Sequence, residues 1–115
     1  MATPSEDRGE SRQMQLVQIL LPLTDNDDKP FPKRMFEALK EDLTRQYQGV
    51  TAFIQAPAQG QWAPDDTSIS KEDIVIFEVM VRDFRLEEWQ QRRTDLEASF
   101  QQERVVIRCM AIGLI

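Results

Sequence analysis

Five polar side chains stand out because of the company they keep. Gln18, Gln55, Glu78, Arg82 and Arg108 each interrupt an apolar setting, as in Val17-Gln18-Ile19-Leu20-Leu21 and Ile76-Phe77-Glu78-Val79-Met80. A charge placed among aliphatic side chains is costly unless it is paired or partly wet. A carboxylate and a guanidinium brought together there have two uses. In the first, they line a small polar cavity. Glu78 is the acid/base candidate, and Arg108 holds an anionic or enolate-like oxygen. Gln18, Gln55 and Arg82 add polar contacts, while Phe53 and Trp62 supply apolar or stacking walls. In the second, Glu78 and Arg108 form an ion pair bridged by Gln18 that only satisfies an interface.

Other chemistries are excluded or disfavoured by what the chain contains. It has no histidine among its 115 residues. Ser-His-Asp and Cys-His catalysis are therefore ruled out, as are histidine-ligated haem, zinc and iron. Its four glycines, Gly9, Gly49, Gly60 and Gly113, are too dispersed for a phosphate-cradling loop. The acidic run Asp25, Asp27, Asp28 does not fit a calcium loop. With Asp25 first, Pro30 falls where the sixth-position glycine belongs and Phe36 where the twelfth-position glutamate belongs. It reads as a turn placed before a helix N-terminus. No metal and no cofactor is expected.

Fourteen basic against twenty acidic residues leave a net charge of −6. That balance argues against nucleic acid and against anionic membrane surfaces as partners. The single cysteine, Cys109, forms no internal disulfide and reads as an inert buried thiol. Residues 1–13 are polar, lack the apolar segment of a secretory signal and read as a mobile tail. The expected setting is a cytoplasmic one, with residues 14–115 forming a single domain.

The elements that must position the five polar residues follow from periodicity. Strand patterns run from Gln15 to Leu23, Val50 to Ala56, Asp73 to Asp83 and Glu103 to Ile112. A helix starts near Pro32 and carries Phe36, Leu39, Leu43 and Tyr47 on one face, with Gly49 as its left-handed stop. A second helix is capped by Asp83 and carries Leu86, Trp89, Arg93, Leu96 and Phe100. The connection Pro57 to Glu72 is longer than a hairpin needs, so Trp62 sits either on a lid or at the edge of the core.

The order strand-helix-strand-strand-helix-strand is the ferredoxin-like split βαβ arrangement, an α+β fold. It implies a four-stranded antiparallel sheet in the order 4-1-3-2 with both helices on one face. Alternation then sorts the strands. Val17, Ile19, Leu21, Val50, Ala52, Ile54, Val75, Phe77, Val79, Val81, Val105, Ile107, Cys109 and Ala111 should lie under the helices. The opposite face holds Leu16, Leu20, Thr51, Phe53, Ile74, Ile76, Met80, Arg104, Val106, Met110 and Ile112 around the polar set. It is too apolar to be left in water. A homodimer, sheet against sheet, is the expected solution, forming an α+β barrel between subunits.

Several segments carry a resemblance. They include Gln18-Ile19-Leu20-Leu21-Pro22-Leu23 with Asp25-Asn26, Phe31-Pro32, Gly49-Val50-Thr51-Ala52 and Ala56-Pro57-Ala58 with Gly60 and Trp62. Leu43-Thr44, Asp73-Ile74-Val75, Glu78-Val79-Met80 and Gln102-Glu103 with Val106-Ile107-Arg108 complete the set. Together they resemble a family of small uncharacterised bacterial proteins, itself similar to a branch of the dimeric α+β barrel superfamily. The resemblance implies the fold and the dimer but no reaction and no catalytic residue. Two functions stay open. One is a small-molecule binding protein or cofactor-free enzyme acting on a planar or carboxylated metabolite. The other is a non-catalytic structural or regulatory homodimer.

Overall fold

The computed structural model describes residues 13–47, 49–55 and 73–115. The tail expected before Gln13 and the Pro57-to-Glu72 connection with Trp62 lie outside the described residues. The elements are β1 (Gln13–Pro22), α1 (Lys33–Gln46), β2 (Val50–Gln55), β3 (Ile74–Val81), α2 (Leu86–Ser99) and β4 (Val106–Gly113). The four strands form one antiparallel sheet in the order β2-β3-β1-β4. This is the ferredoxin-like α+β arrangement expected from the order of elements.

The core lies between the helices and one sheet face. Val17, Ile19 and Leu21 of β1 and Val75, Phe77, Val79 and Val81 of β3 are buried there, against Leu39 and Leu43 of α1 and Trp89, Leu96 and Phe100 at α2. An aromatic cluster closes one end, with Phe31 edge-on to Phe100 at a 5.0 Å centroid separation. The other end holds Tyr47 stacked on Trp89 at 5.2 Å. Apolar burial of this kind contributes roughly 25 cal/mol per Å² removed from water.

Local devices set the ends of the elements. The Asp25 Oδ1 accepts the backbone N–H of Asp27 at 2.8 Å and of Lys29 at 2.9 Å, so the acidic run is a turn whose carboxylate serves its own backbone. Glu87 and Glu88 occupy the first turn of α2, where negative charge suits the helix dipole. α2 ends in a Schellman pattern. The Gln102 N–H reaches the Glu97 carbonyl at 2.9 Å, and Gln101 adopts φ 52° in the glycine-favouring region. The Glu97 side chain then accepts the Val105 N–H at 2.9 Å, which ties α2 to the start of β4.

Four local expectations change. Asp83 does not cap α2; Arg85 occupies the N-cap position, and Asp83 instead pairs with the Arg85 side chain at 3.2 Å. Arg92, not Arg93, is the arginine turned inward, because it faces α1, where its Nη1 meets Asp42 Oδ2 at 2.9 Å and its Nη2 meets Gln46 at 3.0 Å. Leu86 leaves the inner stripe and is exposed. Gly49 does have a left-handed φ of 70°, but it lies two residues beyond the C-cap Tyr47, in the link to β2. A Cβ there would stand 2.9 Å from the Met80 Cε.

Candidate functional site

The helix-free face of the sheet holds the candidate site. Both helices contribute to the core on the Val17, Phe77 and Val79 face, so the residues that alternate with these point away from them. Register then arranges the far face in rows across the strands. Arg108, Gln18, Glu78 and Thr51 lie side by side, one from each of β4, β1, β3 and β2. The neighbouring row is Val106, Leu20, Ile76 and Phe53, and the row on the other side is Met110, Leu16 and Met80. A polar stripe thus crosses the whole sheet between two apolar ones.

Gln18 organises the stripe. Its Nε2 donates to Glu78 Oε2 at 2.6 Å, and its Oε1 accepts from Arg108 Nε at 2.6 Å. The orientation of the amide is dictated by its neighbours, since a carboxylate only accepts and a guanidinium only donates. Arg108 and Glu78 sit on the strands flanking β1, two inter-strand spacings or about 10 Å apart at the backbone. That separation explains why an amide stands between them. Gln18 is only 8 % exposed, whereas Arg108 is exposed and Glu78 half-buried. Beyond the bonds to Gln18, the terminal nitrogens of Arg108 and Oε1 of Glu78 make no hydrogen bond among the described residues.

Apolar exposure on this face rises toward its edges. Ile76, on a central strand, is 1 % exposed, while Val106 and Met110 on β4 are each 46 % exposed. Phe53 is partly exposed beside Ile76, one row from Glu78 and on the same face. Arg82 follows the last residue of β3, beyond the stripe. It borders a hollow of ≈ 590 Å³ with Met14, Phe84 and Ile112. The Gln55 side chain and Trp62 lie outside the described residues, so the polar contact expected of the first and the wall expected of the second are not placed.

The structure therefore brings Gln18, Glu78 and Arg108 together and keeps Arg82 apart from them. Thr51, which alternation already places on this face, joins the stripe through register. A threonine in a strand is ordinary, and only register reveals its alignment with Glu78. Cys109 reverses an expectation. It lies on the helix side, as alternation requires, yet it is exposed. β4 is an edge strand that α2 covers only at its start, so Val105 is buried while Cys109 and Ala111 are not. Ile54, at the far end of β2 on the same side, is likewise 65 % exposed.

Among the described residues no group of histidine, cysteine, aspartate and glutamate is placed to hold a metal ion. None of their helices is long and apolar enough to cross a membrane. Fold and site together define a small α+β protein of ferredoxin-like architecture with a polar stripe on its helix-free sheet face. No protein-family model matches the sequence, and no curated protein matches it either.

Proposed function

We propose that the protein works as a homodimer that binds a small anionic metabolite between two sheet faces. In this reading the helix-free face of one copy packs on that of a second, as in dimeric α+β barrels. The polar stripes then meet between rows of apolar side chains. The observation that carries the reading is the bonding capacity that Arg108 and Glu78 keep beyond their bonds to Gln18. The guanidinium end of Arg108 suits a carboxylate or enolate oxygen. Glu78 is the group available to move a proton on the same ligand. Phe53 offers a planar ligand an apolar flank. A cytoplasmic setting and descent from the small bacterial proteins it resembles belong to this proposal.

A second reading is favoured by Gln18. This amide already bonds both charges, as a purely structural interface requires. A thermal-shift screen of aromatic and short-chain carboxylic acids separates the two. Ligands that stabilise the wild-type protein but not Arg108→Gln or Glu78→Gln, at unchanged dimer stability, support the binding site. Ligands that act equally on all three proteins remove the stripe from function.

A further inference from the structure

The polar stripe is not symmetric, and its asymmetry selects one way of pairing two copies. It runs from a cation on β4 through an amide on β1 to an anion on β3. Two identical sheets stacked with aligned strands are related by a two-fold axis lying between them. That axis runs either along the stripe or along the strands.

An axis along the stripe sets every stripe residue on its own copy. Arg108 would face Arg108 and Glu78 would face Glu78, in an interior that strengthens repulsion. An axis along the strands and over Gln18 reverses the order of the strands but keeps the rows. Gln18 then meets Gln18, apolar rows meet apolar rows, and each cation meets an anion. Moving that axis half a strand toward β3 would set Arg108 against Thr51 and Glu78 against Gln18, leaving both charges without an opposite charge.

We infer that the dimer axis runs along the strands over Gln18, so that Arg108 of each copy pairs with Glu78 of the partner subunit. The inference rests on the dimer proposed above. Packed sheets lie about 10 Å apart, a gap that an arginine and a glutamate reaching from opposite sides can close. The atoms required are those that Gln18 leaves over, the terminal nitrogens of Arg108 and Oε1 of Glu78. The binding site is then composite. A ligand anion then competes with Glu78 of the partner subunit for Arg108, and a single copy contains neither site complete.

Cross-linking tests the axis without touching the charges. In a Cys109→Ser background, Leu16→Cys alone should be joined to itself by a short thiol-to-thiol reagent, because this axis sets Leu16 over Leu16. Leu20→Cys, the second variant, should behave in the same way. Cross-links that form only when Leu16→Cys is mixed with Leu20→Cys place the axis along the stripe. Those that form only on mixing with Met80→Cys place it half a strand away. Either result overturns the inference while leaving the dimer standing.

Charge reversal adds a second readout. Glu78→Arg should weaken dimerisation about tenfold or more. Glu78→Arg combined with Arg108→Glu should restore it to within a few-fold. A single reversal without effect overturns the pairing. A wild-type protein that sediments as a monomer at micromolar concentration overturns the dimer itself, and the inference with it.

Discussion

Gln18 and Glu78 stand directly opposite each other on β1 and β3, and the Gln18 amide donates to the Glu78 carboxylate at 2.6 Å. The same amide accepts from Arg108 on the other side. One nearly buried side chain thus holds two charges that strand spacing keeps apart. Replacing it removes the hydrogen-bond partner of both charges at once.

Gln18→Leu should therefore cost about 1–3 kcal/mol, the usual net worth of hydrogen bonds to charged groups. Chemical denaturation measures it. The same substitution in an Arg108→Leu, Glu78→Leu background should cost far less. Equal costs in both backgrounds would show that the bridge contributes nothing.

Gly49→Ala should destabilise the fold by about 1–2 kcal/mol, because alanine at φ 70° carries a left-handed penalty that glycine escapes. The close Met80 methyl adds to the cost only as far as that flexible side chain cannot move aside. Denaturation midpoints of the alanine and asparagine variants check the cause. Asparagine tolerates this conformation better and should lose less.

The Arg92–Asp42 contact links the two helices and should show in acid. The hydrogen bond from Arg92 holds the Asp42 carboxyl below its ordinary 3.8, partly opposed by burial and helped by the charges of Arg92 and Arg45. A lowered folded-state pKa stabilises the protein above the unfolded value and loses that contribution as pH falls through the folded one. Asp42 is partly exposed, so after solvent screening the effect is below about 1 kcal/mol. Asp42→Asn should flatten the stability curve in that acid range. Arg92→Ala should cost more at neutral pH, since Arg92 also covers the Trp89 ring at 5.4 Å.

Tyr47 is the only tyrosine, so its ionisation can be followed directly in the phenolate absorbance. Burial raises its pKa above the ordinary 10.0, reinforced by the nearby Glu88 charge and opposed by Arg92. A raised folded-state pKa means stability that is intact below the unfolded value and is lost as pH climbs through the folded one. The titration midpoint should move down to the ordinary value in denaturant. Tyr47→Phe should remove the alkaline loss, because no group is left to ionise there.

Cys109 should react with a thiol reagent in the native protein at a rate close to that of the denatured chain, because the residue is exposed on the edge strand β4. It also lies on the helix side, so the proposed dimer leaves it reachable. Protection in the native protein would mean that β4 is covered from that side.

Much of this architecture was legible before any coordinates. Alternation along β1 and β3 separates Val17, Ile19, Phe77 and Val79 from Leu16, Gln18, Ile76 and Glu78. Strand order follows from the sequence of elements. The convergence of Gln18, Glu78 and Arg108 needed only those two facts, because both are local patterns or topological consequences of them.

Tertiary structure decided what alternation cannot express. Register put Thr51 into the stripe, since a pattern of period two names a face but not a partner on the next strand. The spacing of three adjacent strands decided that Gln18 bridges the charges and that they do not touch within one chain. The reach of α2 along β4 decided that Val105 is buried and Cys109 is not. The approach of α1 turned Arg92 inward in place of Arg93, although both fit the helical repeat. In each case the deciding quantity is a distance between elements far apart in the chain, set by packing and absent from any short stretch of sequence.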